Sequence, residues 1–257
     1  MTLEPVIRSR TNALLKRVGT VLAGKERGCI ALEGDRLVDD ALAAGVTLEV
    51  VLVGESRTSR ACELEERGVE VRLVEDELLQ RASSLETSPG VLALAPSPAS
   101  LDLARLDPAV ARLVLVVAGV QDPGNLGALA RSAEAAGAAA VVVLTGGARP
   151  FGAKALRGSM GSLLRLPVYE GAEAEQTAEA LREAGYRQVC AATRFGESWD
   201  AFDWSGPVAL WVSGESGVLP ALTEDFEHVT IPMRGSVESL NITVAASLLL
   251  FAAGSAS

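Results

Sequence analysis

Histidine and cysteine are nearly missing from this chain, and their scarcity sets aside several kinds of chemistry at once. Among 257 residues His228 is the sole histidine, and the three cysteines, Cys29, Cys62 and Cys190, stand far apart. A Ser-His or Cys-His mechanism would have to use His228 as its base, which argues against the common hydrolase arrangements. The cysteines give neither a paired disulfide framework nor the close Cys/His spacing of a zinc site, so neither disulfides nor a metal is expected. Apolar runs approaching the roughly 18 residues of a bilayer-spanning helix are missing too, and the first residues lack the charged, apolar and small-residue sections of a secretory signal. A cytoplasmic protein without membrane contact is the expectation.

Basic charge is in short supply: 23 Lys and Arg against 33 Asp and Glu leave a formal net charge of -10. Such a deficit runs against nucleic-acid binding, where phosphates are met by cations in excess. The distribution is uneven, however. Through Ile30 the chain carries Arg8, Arg10, Lys16, Arg17, Lys25 and Arg27 against Glu4 and Glu26, and Arg149, Lys154, Arg157 and Arg165 follow one another with no acid between them. Each stretch reads equally well as an RNA contact or as a solvated helix face.

With 49% hydrophobic residues the chain can bury the cores of two domains. In residues 1–95 helical patterns (12–22, 34–44, 57–67, 76–82) alternate with strand-like runs (29–32, 48–53, 69–74, 91–95), which predicts a small α/β sandwich domain. Pro96, Pro98 and the serines around them break the pattern, placing a linker at 96–108. In residues 109–257 the apolar runs 113–118, 141–144, 188–192 and 208–212 show no alternation, as strands buried on both faces do, and helical stretches such as 126–136 and 172–184 separate them. A mostly parallel sheet with helices on both faces is predicted there, closed by a helix from Ile242 so apolar that burial on most sides is expected.

Three segments carry chemistry, each where a strand gives way to a loop or helix, which is where open α/β sheets hold ligands. In Asn125-x-Gly127-x-x-x-Arg131 the asparagine is expected to cap a helix, the glycine to keep its first turn open and the arginine to project from the second turn. Gly214-Glu215-x-Gly217 brackets one acid with glycines at the end of a strand. Pro232-Met233-x-Gly235 runs on to Ser239-Leu240-Asn241 at the mouth of the last helix. Capping explains one polar residue there, and two suggest a binding loop.

In this order and spacing the three segments resemble the motifs of the SpoU/TrmH family of RNA 2'-O-ribose methyltransferases, with Arg157-Gly-Ser159-Met160-Gly161 similar to the family's connecting segment. More loosely, residues 1–95, with Glu33-Gly34 and Thr87-Ser-Pro-Gly90, resemble the ribosomal-protein-like RNA-binding domain that many members carry. The resemblance implies a methyltransferase domain whose C-terminal chain is threaded into a deep trefoil knot, S-adenosyl-L-methionine as cofactor, and a homodimer through the C-terminal domains with a shared site. It places the cofactor against Gly214, Ile231 and Leu240, largely through backbone groups, with Met233 and Ser239 in the same loop. Met233 itself reads better as packing than as a side-chain contact.

The resemblance also implies roles in catalysis. Arg131 is the family's hydroxyl-activating residue, and because a guanidinium stays charged, its part here is read as binding the adjacent phosphate and stabilising the developing alkoxide. Glu215 would orient that guanidinium, Asn125 and Asn241 would hydrogen-bond substrate or ligand, and Ser239 would position the hydroxyl. RNA contacts are expected at Arg8, Arg10, Lys16, Arg17 and Arg157. Ribosomal RNA is favoured as substrate; transfer RNA and a non-catalytic RNA-binding role are the alternatives. Gly19 to Lys25 spells a phosphate-loop pattern, but Glu26 replaces the magnesium-binding hydroxyl and the segment reads as helix.

Overall fold

The computed structural model describes residues 5–100, 102–214, 223 and 225–256. It forms two compact units, Met1–Pro98 with Phe151–Leu164 and Ala99–Pro150 with Arg165–Ser257.

In the first unit α1 (Ala13–Leu22), β1 (Cys29–Glu33), α2 (Asp35–Ala43), β2 (Val50–Gly54), α3 (Thr58–Glu66), β3 (Val71–Val74), α4 (Asp76–Ala82) and β4 (Val91–Pro96) follow the alternation read from the sequence. The sheet order is β1-β4-β2-β3, with β4 antiparallel to both its neighbours and β2 parallel to β3. Asn12 caps α1, its Oδ1 accepting from the Leu14 N–H at 2.9 Å. Leu15 and Val18, one helical step apart, then turn a single face of α1 into a core shared with Leu52 and Leu94 of the sheet.

Beyond residue 99 the chain runs β5 (Leu113–Ala118), α5 (Pro123–Ala135), β6 (Ala140–Leu144), α6 (Ala153–Ser159), α7 (Ser162–Arg165), β7 (Val168–Ala172), α8 (Ala174–Glu183), β8 (Arg187–Ala192), β9 (Glu197–Ser198), β10 (Val208–Ser213), β11 (Glu227–Thr230) and α9 (Ile242–Ser255). The strands form one sheet ordered β7-β6-β5-β10-β8-β11-β9, and every neighbouring pair is parallel. From β5 the chain steps outward through β6 to β7, then returns to build the other side, with β10 inserted between β5 and β8. That reversal opens a crevice at the carboxyl ends of the central strands. α6 lies in Phe151–Leu164, the stretch that packs with the first unit.

Polar groups inside the sheet are matched. Trp211 on β10 is fully buried and its indole N–H donates to Gln188 Oε1 on β8 at 2.8 Å. Tyr186, just before β8, is buried and its hydroxyl donates to the Ala111 carbonyl at 2.5 Å; burial, with a smaller push from Asp107, raises its pKa from 10.0 to about 12. The fold therefore favours the neutral phenol. The stability this contributes is complete below the unfolded pKa near 10 and is lost as pH rises through about 12. Tyr186→Phe should cost about 1 kcal/mol at pH 7 through the lost hydrogen bond. Urea midpoints for wild type and variant should converge between about pH 10 and 12; a gap that stays constant would contradict this.

Three stretches depart from the sequence reading. β7 and β11 are strands although neither carries an apolar run: β7 is the sheet's edge, and β11 has only the two-residue β9 beyond it, so few of their side chains need burial. α9 continues to Ser255 and is not buried on most sides. Ala246, Leu249 and Leu250 are buried, but Val244, Leu248 and Phe251 are 49%, 36% and 51% exposed and form a stripe at helical spacing. The helix rests against α5 and β10 and leaves its remaining face uncovered.

Candidate active site at the carboxyl ends of the parallel strands

The loop after β5 leads into α5, and Asp122 caps that helix: its Oδ1 accepts from the N–H groups of Gly124 at 2.6 Å and Asn125 at 3.0 Å. Pro123 occupies the first helical position, where its missing N–H costs nothing. The helix therefore begins before Asn125, which is its third residue and not its cap. Gly127 is buried within the helix, and Arg131 falls in the third turn, exposed and without an ion-pair partner among the described residues. The next residue fixes that turn, because Ser132 Oγ and Ser247 Oγ of α9 lie 2.7 Å apart.

Gly214 follows the last residue of β10, and its N–H donates to the Ala118 carbonyl at 2.9 Å. A Cβ at Gly214 would stand 2.4 Å from the Gly119 carbonyl oxygen, so the crossing of the two strand ends admits glycine alone. Glu215 and Gly217 lie outside the described residues.

A cleft of about 580 Å³ opens at the ends of β8, β10 and β11 and against α9. It is lined by Gly214, Ile231, Met233, Ser239 and Leu240, all five positions singled out for the cofactor. Val212, Val229 and Leu249 form buried apolar walls. Among the described lining residues none is Asp, Glu, Lys or Arg, so a ligand there meets apolar surface, the backbone groups of strand ends and the polar side chains of Thr193, Ser213, His228 and Ser239. Cys190, also in the lining, is buried, and that burial pushes its thiol up to about 11, which keeps it protonated and unreactive at neutral pH.

Asn125, Arg131 and Asn241 do not line the cleft. Asn241 caps α9, its Oδ1 accepting from the Thr243 N–H at 2.9 Å, which leaves its side-chain NH₂ for other partners. Thr193, Phe195 and His228 line the cleft and were not picked out beforehand. The signal available for Thr193 and Phe195 was their place just past a buried parallel strand; His228 sits on β11, whose polar sequence hid the strand.

Several cations of the basic stretches are paired with acids, most of them distant in sequence. Arg8 pairs with Glu55 at 2.5 Å, Arg165 with Glu134 at 2.6 Å and Arg149 with Glu170 at 3.6 Å. Arg17 bonds Glu49 at 2.6 Å and pairs with Glu26 at 2.8 Å, and these bonds hold it firmly protonated. Arg157, on α6, donates to Glu33 at 2.6 Å. Arg10, Lys16, Lys25 and Arg27 are exposed and have no ion-pair partner among the described residues.

Comparison with known proteins agrees with this arrangement. Residues 112–251 match the SpoU rRNA Methylase family, and residues 23–93 match the MRM3-like substrate binding domain. The chain is 32% identical over 251 residues to the 23S rRNA (guanosine(2553)-2'-O)-methyltransferase RlmP of Bacillus subtilis, covering 95% of this chain and 97% of that protein. It is 37% identical over 219 residues to the 23S rRNA (guanosine-2'-O-)-methyltransferase RlmB of Xylella fastidiosa, covering 80% and 87%. The crystal structure of an AdoMet-bound rRNA methyltransferase from Sinorhizobium meliloti superposes with a TM-score of 0.86 at 26% identity, over 97% of both chains. Cleft, strand order and family match together place this chain in the SpoU rRNA methylase family.

Proposed function

We propose that this protein transfers a methyl group from S-adenosyl-L-methionine to a ribose 2'-hydroxyl of ribosomal RNA. The observation that carries the reading is the convergence of Gly214, Ile231, Met233, Ser239 and Leu240 on one cleft at the carboxyl ends of the parallel strands. The relatives named as 23S rRNA 2'-O-methyltransferases support the substrate, and the AdoMet-bound neighbour supports the cofactor.

The residues present fit that cofactor. The cleft has the volume of a small-molecule site, its apolar walls suit a nucleoside, and its strand-end carbonyls can face a cation without a carboxylate. When bound, the cofactor supplies an electrophilic methyl on a sulfonium. Leu240 and Ile231 would hold it, and Gly214 would let the backbone approach. Ser239, exposed at the mouth, would position the hydroxyl. Asn241 would donate to substrate through its free NH₂, and Asn125 would do so from the first turn of α5. Arg131 remains charged at any accessible pH, so its part is to hold the neighbouring phosphate and stabilise the negative charge growing on the ribose oxygen. Glu215 is assigned the orientation of that guanidinium.

Arg131 does not line the cleft, and a second copy packed against it would complete the site. The uncovered stripe Val244, Leu248 and Phe251 would form the centre of that homodimer interface. In this reading the C-terminal chain is knotted as a trefoil, residues 1–95 bind RNA, with Arg10 and Lys16 among the cations left for phosphates, and the protein acts in the cytoplasm.

Calorimetry with S-adenosylmethionine and S-adenosylhomocysteine tests the cleft. Wild type should bind both, and Leu240→Trp should weaken binding by more than about tenfold by filling the pocket. Equal affinity in the variant would remove the cleft from the account.

A further inference from the structure

The four-residue connection Thr193–Gly196 between β8 and β9 presents an aromatic ring to solvent at the rim of the cleft. Phe195 is 62% exposed, although a phenylalanine ring is ordinarily stabilised by burial. The ring is nonetheless fixed. It lies 4.7 Å from the His228 ring, at an interplanar angle of 48°. The next residue, Gly196, has φ +105° and runs so close to β11 that a Cβ there would stand 2.5 Å from the His228 carbonyl oxygen. β9 then pairs with β11, so both ends of the connection are held by strands. Beside the ring, the Arg194 side chain is 73% exposed and reaches Glu238 at 3.6 Å, a pair open to solvent and therefore weak. Arg234, next to Met233 in the loop that lines the cleft, is also exposed.

We infer that Phe195, flanked by Arg194, is a stacking platform for an unpaired nucleobase of the RNA, next to the nucleotide that is methylated. A rigid, outward-facing aromatic beside a cation is how proteins take hold of single-stranded nucleotides: the ring meets the π-face of a base and the cation its phosphate. The rim placement separates this role from cofactor binding, because the deep walls of the cleft are buried and uncharged while Phe195 and Arg194 face solvent. The arrangement also gives an acidic protein a local cationic and aromatic grip at the place where RNA must approach. This inference rests on the methyltransferase reading for the identity of the partner.

The test uses the full chain, a fluorescein-labelled single-stranded RNA oligonucleotide followed by anisotropy at low salt, and S-adenosylhomocysteine followed by calorimetry. Phe195→Ala should weaken RNA binding by about tenfold. Phe195→Trp, which keeps a π-face, should restore it, and S-adenosylhomocysteine affinity should change by less than about twofold in both variants. Unchanged RNA affinity in Phe195→Ala overturns the inference. So does a parallel loss of S-adenosylhomocysteine affinity, which would assign the ring to the cofactor. Failure of wild type to bind S-adenosylhomocysteine would instead count against the methyltransferase reading, while the oligonucleotide series still decides the role of Phe195.

Discussion

Arg131→Ala should lower single-turnover methyl transfer by about 10²–10³-fold while leaving S-adenosylhomocysteine affinity nearly unchanged, the loss typical of removing one charged donor from a developing oxyanion. The separation of the two effects follows from position: Arg131 projects from the third turn of α5 and the cofactor-lining residues lie elsewhere. The helix itself should tolerate the change, since Asp122 and Pro123 fix its start, the Ser132–Ser247 contact holds its third turn and the side chain is exposed. Arg131→Lys should recover only part of the rate, because an ammonium keeps the charge but loses the planar fork that grips a phosphate. Undiminished transfer by Arg131→Ala would remove the arginine from the chemistry.

Arg157→Leu is expected to act on stability. Glu33, the last residue of β1, has a side chain that is 0% exposed, and besides Arg157 it accepts from Ser83 Oγ at 2.7 Å, from the Ser84 N–H at 2.8 Å and from Ser84 Oγ. Removing one partner of a buried pair typically costs about 3–5 kcal/mol, because the other charge stays buried. The Arg157 side chain is 28% exposed and the serine donors remain, so the expected cost is lower, about 2–3 kcal/mol. Denaturant midpoints should show it, and Glu33→Gln with Arg157→Leu should cost less than the sum of the single changes. Additive costs would mean that the pair is not coupled. Because its guanidinium is committed to Glu33, RNA affinity of the folded variant should stay close to wild type, whereas charge removal at Arg10 and Lys16 should weaken binding and flatten its salt dependence.

The fold was legible where burial leaves a pattern. β5 and β10 announce themselves as unbroken apolar runs because parallel strands are covered on both faces, whereas the grouping of Phe151–Leu164 with the first unit left no trace in the sequence. β11 left no such trace, and with it went His228. The start of α5 is ambiguous in the sequence because Asn125 and Asp122 are both good capping residues, and Pro123 at the first helical position settles it for Asp122. α9 shows the limit of composition: it is apolar all round whether its last face meets the same chain or a second copy. Charge was the least legible. Arg157 and Glu33 are 124 residues apart, so only the folded chain reveals that a cation read as an RNA contact neutralises a buried acid.

The cleft-lining positions Gly214, Ile231, Met233, Ser239 and Leu240 were legible because three weak motifs occur in order, each at a loop past a strand. Single residues carried little: a glycine, a leucine and a serine are ordinary until the strand order brings them to one cleft. Phe195 escaped because one exposed phenylalanine has no periodic signature; its meaning lies in the His228 ring behind it and the arginine beside it.

The most direct test of the account is to incubate the purified protein with bacterial ribosomal RNA and methyl-labelled S-adenosylmethionine, digest the RNA to nucleosides and identify the labelled product by mass spectrometry. The account predicts label in a 2'-O-methylnucleoside, and its loss with Arg131→Ala. A folded protein that binds the cofactor yet transfers no methyl, or places it on a base, would contradict it.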